Sequence, residues 1–179
     1  MESYGGMTPT LRRFPGPAAD LVEVTSEKGL KHTAIVFHAE FRDHSTLTSD
    51  IQEFLGFMEE PQVDGLPKLV WHDPSDGAFV YPTGSAWSVA EVVKTMADLG
   101  KVCGVRAGLE VAYHAGQVLL DAAAAGAELD VYSHTSLSPW TVMIKGDGQV
   151  RVIGFGIPQP EVALYVEDET ELPREDSLR

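Results

Sequence analysis

Cysteine, aromatic residues and positive charge are all scarce in this 179-residue chain. Cys103 is the single cysteine, so no internal disulfide can form, and a reducing compartment is expected. Only 8% of the residues are aromatic, yet 44% are hydrophobic, which is enough for a packed core. Thirteen basic against 27 acidic residues give a net charge of −14, which argues against binding to nucleic-acid phosphates or anionic lipids.

Targeting segments and metal-ligand patterns are also missing from the sequence. No apolar run is long enough to span a membrane, and the N-terminus has no signal-peptide segment, so a cytoplasmic protein is predicted. The six histidines have no supporting cysteine or carboxylate at metal-binding spacing, and no acid completes a catalytic triad with a serine. We therefore predict no metal and no cofactor.

Three β-hairpins are predicted from β-prone runs joined by glycine-containing turns. Their strand pairs are Leu21–Thr25 with Lys31–Ala39, Leu69–His72 with Ala78–Pro82, and Thr141–Lys145 with Val150–Ile153. Residues 1–19 are rich in glycine and proline without periodicity, and they are predicted to be a flexible arm.

Three helices are predicted between the hairpins. Capping boxes begin at Ser49 and Ser88, followed by apolar stripes that end near Met58 and Gly100. A longer helix is predicted at Val105–Ala125, whose small residues are typical of close packing against another helix. The resulting fold class is α+β with two lobes: a small lobe at 20–82, a mainly helical large lobe at 83–160 and an acidic flexible tail at 161–179.

The segment His134–Ile157, HTSLSPWTVMIKGDGQVRVIGFGI, resembles the catalytic loop, hairpin and Asp-Phe-Gly turn of eukaryotic-type Ser/Thr protein kinases found in bacteria. This resemblance implies a protein-kinase-like two-lobed fold. It also implies architectural roles for the retained motif residues His134, Pro139, Phe155 and Gly156.

The positions that perform chemistry in this family are altered. The catalytic Asp is replaced by Ser136, which cannot act as a base near neutral pH. The metal-binding Asn and Asp are replaced by Thr141 and Gly154, so Mg²⁺ would lose its usual ligands.

The small lobe shows a similar loss. Thr33–Val36 resembles the strand Val-Ala-Ile-Lys, with Val36 in place of the phosphate-binding Lys. The resemblance implies that Ala34 and Met143 line the adenine slot. Gly5-Gly6-Met7 is similar to the family's Gly-rich loop, although it lies far from Ala34 in the sequence.

The resemblance implies a catalytically inactive kinase-like domain, a pseudokinase that is not an enzyme and acts in cytoplasmic signalling or assembly. A protein partner is expected: a kinase, a signalling or assembly protein, or a second copy bound through the long helix. The alternative is a metal-independent nucleotide sensor. A residual transferase that uses Asp147 or Glu161 is the third hypothesis.

The family's pattern continues beyond an activation segment, which 161–179 resembles. Part of the long helix is therefore expected to lack its usual cover. A natural partial fold, a truncated form and half of an interface all agree with this expectation.

Overall fold

The computed structural model describes residues 3–16, 18–42, 63–126 and 137–154, and the structural statements below concern these residues. None of the helices described there is long and apolar enough to cross a membrane. The elements, in chain order, are β1 (Thr8–Phe14), β2 (Ala19–Thr25), β3 (Lys31–Phe37), α1 (Ala39–Arg42), β4 (Trp71–Asp73), β5 (Ala78–Tyr81), β6 (Trp87–Ser88), α2 (Val89–Asp98), α3 (Val105–Gly126), β7 (Val142–Ile144) and β8 (Val150–Val152).

A five-stranded antiparallel sheet forms the small lobe, with the strand order β1-β2-β3-β5-β4. The predicted hairpins are present as β2–β3 and β4–β5, and Leu21 lies opposite Ile35 in the first of them. The predicted turn at Gly77 has a φ of +59°, a conformation that glycine adopts without strain. The turn residues in the sequence therefore predicted both hairpins correctly.

The predicted flexible arm at residues 1–19 is contradicted over part of its length. Thr8–Phe14 forms β1, an edge strand that pairs with β2 and has a register shift between Pro9 and Arg13. Its side chains alternate between exposed and half-buried, and Arg12 and Arg13 form ion pairs rather than apolar contacts. The strand therefore lacks the apolar pattern by which strands are recognised in a sequence.

The two faces of the five-stranded sheet pack against different neighbours, because successive side chains of a strand point to opposite faces. The slot-facing cluster, on the side of the large lobe, contains Leu21, Ile35, Phe37, Leu69, Phe79, Tyr81, Ala86, Met143 and Ile153. The outer cluster, on the other face, contains Tyr4, Met7, Val22, Val24, Ala34, Val36, Ala78 and Val80.

Gly5 and Gly6 form a tight turn between Tyr4 and Met7 that covers the outer face. A Cβ atom on Gly5 would lie 2.4 Å from the indole of Trp71, so the close approach requires glycine. Tyr4 and Met7 belong to the outer cluster, on the face opposite to Met143. The glycine pair thus does not cover the slot as a Gly-rich loop would.

The two longer helices start where they were predicted. Ser88 and Glu91 form the predicted capping box of α2, with the Glu91 N–H donating to Ser88 Oγ over 3.1 Å. Val93, an apolar residue of α2, is half exposed. The helix predicted from the capping box at Ser49 lies outside the described residues.

Helix α3 matches the predicted long helix, and one of its faces packs against β8 and the third hairpin. The buried face carries Val111, Ala115, Val118 and Ala122, which repeat at the spacing of an amphipathic helix. The hairpin β7–β8 forms a separate three-stranded sheet with β6. Strands β6–β8 and helices α2 and α3 therefore make up the described part of the large lobe.

Candidate functional site

The interlobe slot lies between the sheet of the small lobe and strand β7, and its walls come from both lobes. Its lining residues are Arg12, Leu21, Glu23, Thr33, Glu91 and Met143. The cavity that remains between them is about 10 Å³. Since one water molecule needs roughly 10–15 Å³ of such volume, the described side chains leave no room for a ligand between these six residues.

Phe14 and Trp140 pack together beside the slot-facing cluster. Phe14 lies at the end of β1 and Trp140 in the loop before β7, and their ring centroids are 4.4 Å apart. Both rings are partly buried against that cluster. Trp140 therefore joins the loop before β7 to β1 across the lobes.

Tyr81 lies beside Gly154, the residue that the sequence resemblance aligns with the metal-binding Asp. Its side chain is buried at the end of β5. The Tyr81 phenol forms a hydrogen bond with the backbone of Gly154. Burial raises the pKa of the Tyr81 phenol, so the ring stays neutral in the physiological range. Gly154 is buried with a φ of +76°, a conformation that L-residues with side chains rarely adopt.

The loop before β7 uses its polar groups to hold its own shape. The Thr141 hydroxyl accepts a hydrogen bond from the Ser138 N–H at 3.0 Å and donates one to the Ser138 carbonyl at 3.1 Å. The Pro139 carbonyl accepts a hydrogen bond from the Ala90 N–H at the start of α2. Thr141 thus closes a turn, and Pro139 ties the loop to α2.

The structure does not bring Ala34 and Met143 together. Ala34 and Val36 lie in the outer cluster, whereas Met143 lies in the slot-facing cluster. On β3 the slot-facing side chains are those of the odd-numbered residues, among them Thr33 and Ile35. The predicted correspondence on β3 is therefore shifted by one residue, and Ala34 and Val36 do not line the slot.

Several residues that the sequence resemblance singled out lie beyond the described part of the chain. His134, Ser136, Phe155 and Gly156 lie outside the described residues, as does Glu161. Asp147 lies in the β7–β8 turn, where it pairs with Lys145 at 3.1 Å. Asp147 lines an open cavity of about 390 Å³ between that turn and α3 rather than the interlobe slot.

Arg12 is the principal slot residue that the sequence did not reveal. Its guanidinium donates to both carboxylate oxygens of Glu91, over 3.2 and 3.0 Å. It also donates to Glu23 Oε2 at 3.3 Å and to the Ala86 carbonyl at 2.9 Å. The same group lies 3.8 Å from the centre of the Trp87 ring, within the range of a cation–π interaction.

Glu23 carries a second cation at the edge of the slot. Lys31 Nζ lies 3.1 Å from Glu23 Oε1, and the Thr10 hydroxyl donates to the same oxygen. Burial alone would raise the pKa of Glu23, but the hydrogen bonds from Lys31 and Thr10 and the charges of Lys31 and Arg12 outweigh it. The pKa of Glu23 therefore lies below its ordinary value. Among the described residues, no group of three or more His, Cys, Asp or Glu side chains could hold a metal ion.

Comparison with known proteins gives a match in structure alone. No family model matches the chain. No curated protein matches it either. The crystal structure of the Mycobacterium tuberculosis PknI kinase domain matches with a TM-score of 0.64 and 15% identity, over 89% of this chain and 64% of that one. A second structure of the same domain gives a TM-score of 0.65 and 14% identity, over 88% and 61%.

A double-mutant form of that kinase domain matches with a TM-score of 0.67 and 15% identity, over 92% of this chain and 68% of the other. The chain thus spans somewhat less than two thirds of the length of the first two neighbours. At this level of identity, the similarity establishes the fold. The sheet, the two helices and the third hairpin form a protein-kinase-like, two-lobed α+β fold that corresponds to part of a kinase domain.

Proposed function

We propose that this domain is a pseudokinase, a kinase-like fold that transfers no phosphoryl group and acts by binding another protein in cytoplasmic signalling. The observation that carries the proposal is the closed gap between the described residues of the interlobe slot. Its residual cavity is about 10 Å³, whereas pockets for small molecules and cofactors are usually about 300–1,000 Å³. Nucleotide binding at this gap would require Arg12 to move.

The chemistry of the slot supports the same proposal. Thr141 uses its hydroxyl within its own loop, and Gly154 offers no side-chain ligand. Loss of one preorganised electrostatic group costs roughly 10²–10³ in rate, and here the positions of two metal ligands have lost their carboxylate and amide groups. Phosphoryl transfer depends almost entirely on such groups, because the protein forms no covalent bond during the reaction.

A surface for a partner is available on α3. Leu109, Tyr113 and Leu120 expose about two thirds of their surface each, on the face opposite to the buried stripe of α3. Exposed apolar patches of this kind are typical of contacts between proteins. A kinase, another signalling or assembly protein, and a second copy of the chain remain alternative partners.

A thermal-shift titration with ATP and ADP, each with and without Mg²⁺, tests the proposal. No shift of the melting temperature is expected under any of the four conditions, because the described lining of the slot around Arg12 leaves no room for a ligand. A shift without Mg²⁺ would instead support the metal-independent nucleotide sensor, since ligand at 100 times its Kd stabilises the folded state by about 2.7 kcal/mol. Mg²⁺-dependent turnover of ATP would overturn the proposal and favour the residual transferase.

The binding role needs its own experiment. Sedimentation velocity at increasing protein concentration tests self-association, and capture from the native cell followed by a reconstituted complex tests another partner. Reconstituted binding that is lost in Leu109→Gln/Leu120→Gln would support α3 as the contact surface. Binding that survives these changes would place the contact elsewhere.

A further inference from the structure

The groups around Arg12 have the composition of a guanidinium-binding site. Two carboxylates, Glu23 and Glu91, expose 9% and 8% of their side chains, and both bond to the guanidinium. Glu91 does so with both of its oxygens, and the Ala86 carbonyl and the face of Trp87 complete the set. A planar fork of N–H donors above an aromatic ring is the arrangement that distinguishes arginine from lysine in recognition.

Three of the four site groups belong to the other lobe than Arg12, while Glu23 lies on β2 beside it. Arg12 lies on the edge strand β1, whereas Ala86, Trp87 and Glu91 lie 74 to 79 residues later, at the start of the large lobe. Pairing between β1 and β2 is irregular between Pro9 and Arg13, the part of the strand that contains Arg12. The contacts of Arg12 therefore join the lobes across the slot in which kinases hold a nucleotide.

We propose that Glu23, Glu91, the Ala86 carbonyl and Trp87 form a guanidinium site, and that Arg12 occupies it as an intramolecular ligand that clamps the lobes together. This inference goes beyond the proposed function, because it concerns what holds the lobes in place rather than which reaction is lost. Without Arg12, the Glu91 carboxylate stays buried without the cation that it pairs with here. Opening of the lobes would then hydrate it.

Arg13 provides a matched control for Arg12. It is the neighbouring arginine on β1, and it forms an ion pair of 2.6 Å with Asp20, a residue of the same sheet. Asp20 keeps a second partner, His38, at 3.0 Å. Truncation of Arg13 removes an equal charge from the same strand and breaks an ion pair that lies within the small-lobe sheet.

The first measurement compares melting temperatures. Arg12→Ala and Arg12→Lys are both expected to lower the melting temperature by about 5–10 °C, because a buried carboxylate loses its partner and lysine cannot form the bidentate pair. Arg13→Ala is expected to lower it by only a few degrees. Equal losses at the two positions, or an Arg12→Lys variant as stable as the wild type, would overturn the guanidinium site.

Chemical rescue tests the identity of the site directly. Methylguanidine at millimolar concentration is expected to raise the melting temperature of Arg12→Ala by a few degrees, because it refills the vacated site. Methylammonium at the same concentration lacks the planar fork and is expected to have no such effect. Absence of rescue, or equal rescue of Arg13→Ala, would contradict the proposal.

A distance measurement tests the clamp. Cys103 is exposed in the large lobe, and Lys28 is exposed in the β2–β3 turn, so Lys28→Cys creates a pair of labelling sites, one in each lobe. The distribution of distances between two spin labels is expected to broaden in Arg12→Lys and to stay unchanged in Arg13→Ala. An unchanged distribution in Arg12→Lys would overturn the clamp. Because this variant keeps its positive charge, it serves if Arg12→Ala does not fold.

Discussion

The interlobe slot and the exposed face of α3 have opposite characters. In the slot, charged and aromatic side chains are held by several partners each, and the remaining cavity is about 10 Å³. On α3, Leu109, Tyr113 and Leu120 are exposed, and the charged residues there form simple i,i+4 pairs such as Arg106–Glu110. Among the described residues, the gap at Arg12 in the interlobe slot is therefore closed, whereas an apolar surface on α3 is open.

This difference indicates where function and stability lie in the molecule. Substitutions in the slot are expected to change the free energy of unfolding, because its side chains are buried and bonded to one another. Substitutions on α3 are expected to change association with a partner and to leave stability almost unchanged. In an active kinase, by contrast, the slot would be expected to hold a ligand.

The largest expected effect is that of Met143→Ala in the slot. Met143 is 1% exposed, and truncation of a buried methionine costs about 2–5 kcal/mol, because it removes apolar contacts and leaves a cavity. Urea denaturation measures the loss. Leu120→Ala on α3 is the matched control, and its cost is expected to be within about 0.5 kcal/mol. Similar costs at the two positions would contradict the contrast between the regions.

Glu23→Gln is expected to have the next largest effect on the free energy of unfolding. This effect is expected to depend on pH. A carboxylate whose pKa is lowered in the folded state stabilises the fold fully above its ordinary value of 4.5, and this contribution is lost as the pH falls through the folded pKa. The wild type is therefore expected to exceed Glu23→Gln in stability by about 1–3 kcal/mol at pH 7, and by progressively less below pH 4.5.

Urea denaturation of both proteins between pH 3 and pH 7 checks this expectation. Glu110→Gln on α3 is the control, because an exposed i,i+4 pair contributes only about 0.3–0.5 kcal/mol. A stability difference for Glu23→Gln that does not change with pH would show that the charge of Glu23 is not responsible.

Ser88→Ala tests the N-terminal cap of α2, the helix that carries the slot residue Glu91. Ser88 is buried and caps α2, so the loss of its hydroxyl is expected to cost about 0.5–2 kcal/mol. Ser88→Gly is the comparison, since glycine at a cap usually costs only a few tenths of a kcal/mol. Thermal unfolding measures the stability of both variants. If Ser88→Ala is as stable as Ser88→Gly, the cap contributes less to stability than expected.

The smallest effect on stability is expected from Leu109→Gln/Leu120→Gln. Both side chains are about two thirds exposed, so the free energy of unfolding is expected to change by less than about 0.5 kcal/mol. A loss of several kcal/mol, measured by urea denaturation, would show that this face is part of the packed core.

The turn residues of the sequence predicted the three hairpins, and the capping box at Ser88 and the periodic pattern from Val105 predicted α2 and α3. The facing of β3 was not predictable, because Ala34 through Phe37 are apolar on both faces of the sheet and show no alternation. Motif alignment therefore placed Ala34 and Val36 on the wrong face. Turn residues act locally, whereas the facing of a strand that is buried on both sides depends on the whole fold.

The buried contacts of Arg12 were not predictable from the sequence for a related reason. Its partners Ala86 and Glu91 lie 74 and 79 residues away along the chain. An arginine in a segment rich in glycine and proline is more typical of a solvent-exposed loop than of a buried ion pair. Tertiary contacts of this kind leave no periodic signal, so β1 was mistaken for part of a flexible arm.

The Glu91 carboxylate serves two structures at once. Its Oε2 accepts a hydrogen bond from the Ser88 N–H at the start of α2 and also from the Arg12 guanidinium. The first turn of α2 and the edge strand β1 therefore share one anchor, and they are expected to open as a single cooperative unit. Amide hydrogen exchange in these two segments would then slow or quicken together, although their sequences lie about 75 residues apart. Fraying of the first turn of α2 would thus also weaken the attachment of β1 in the opposite lobe.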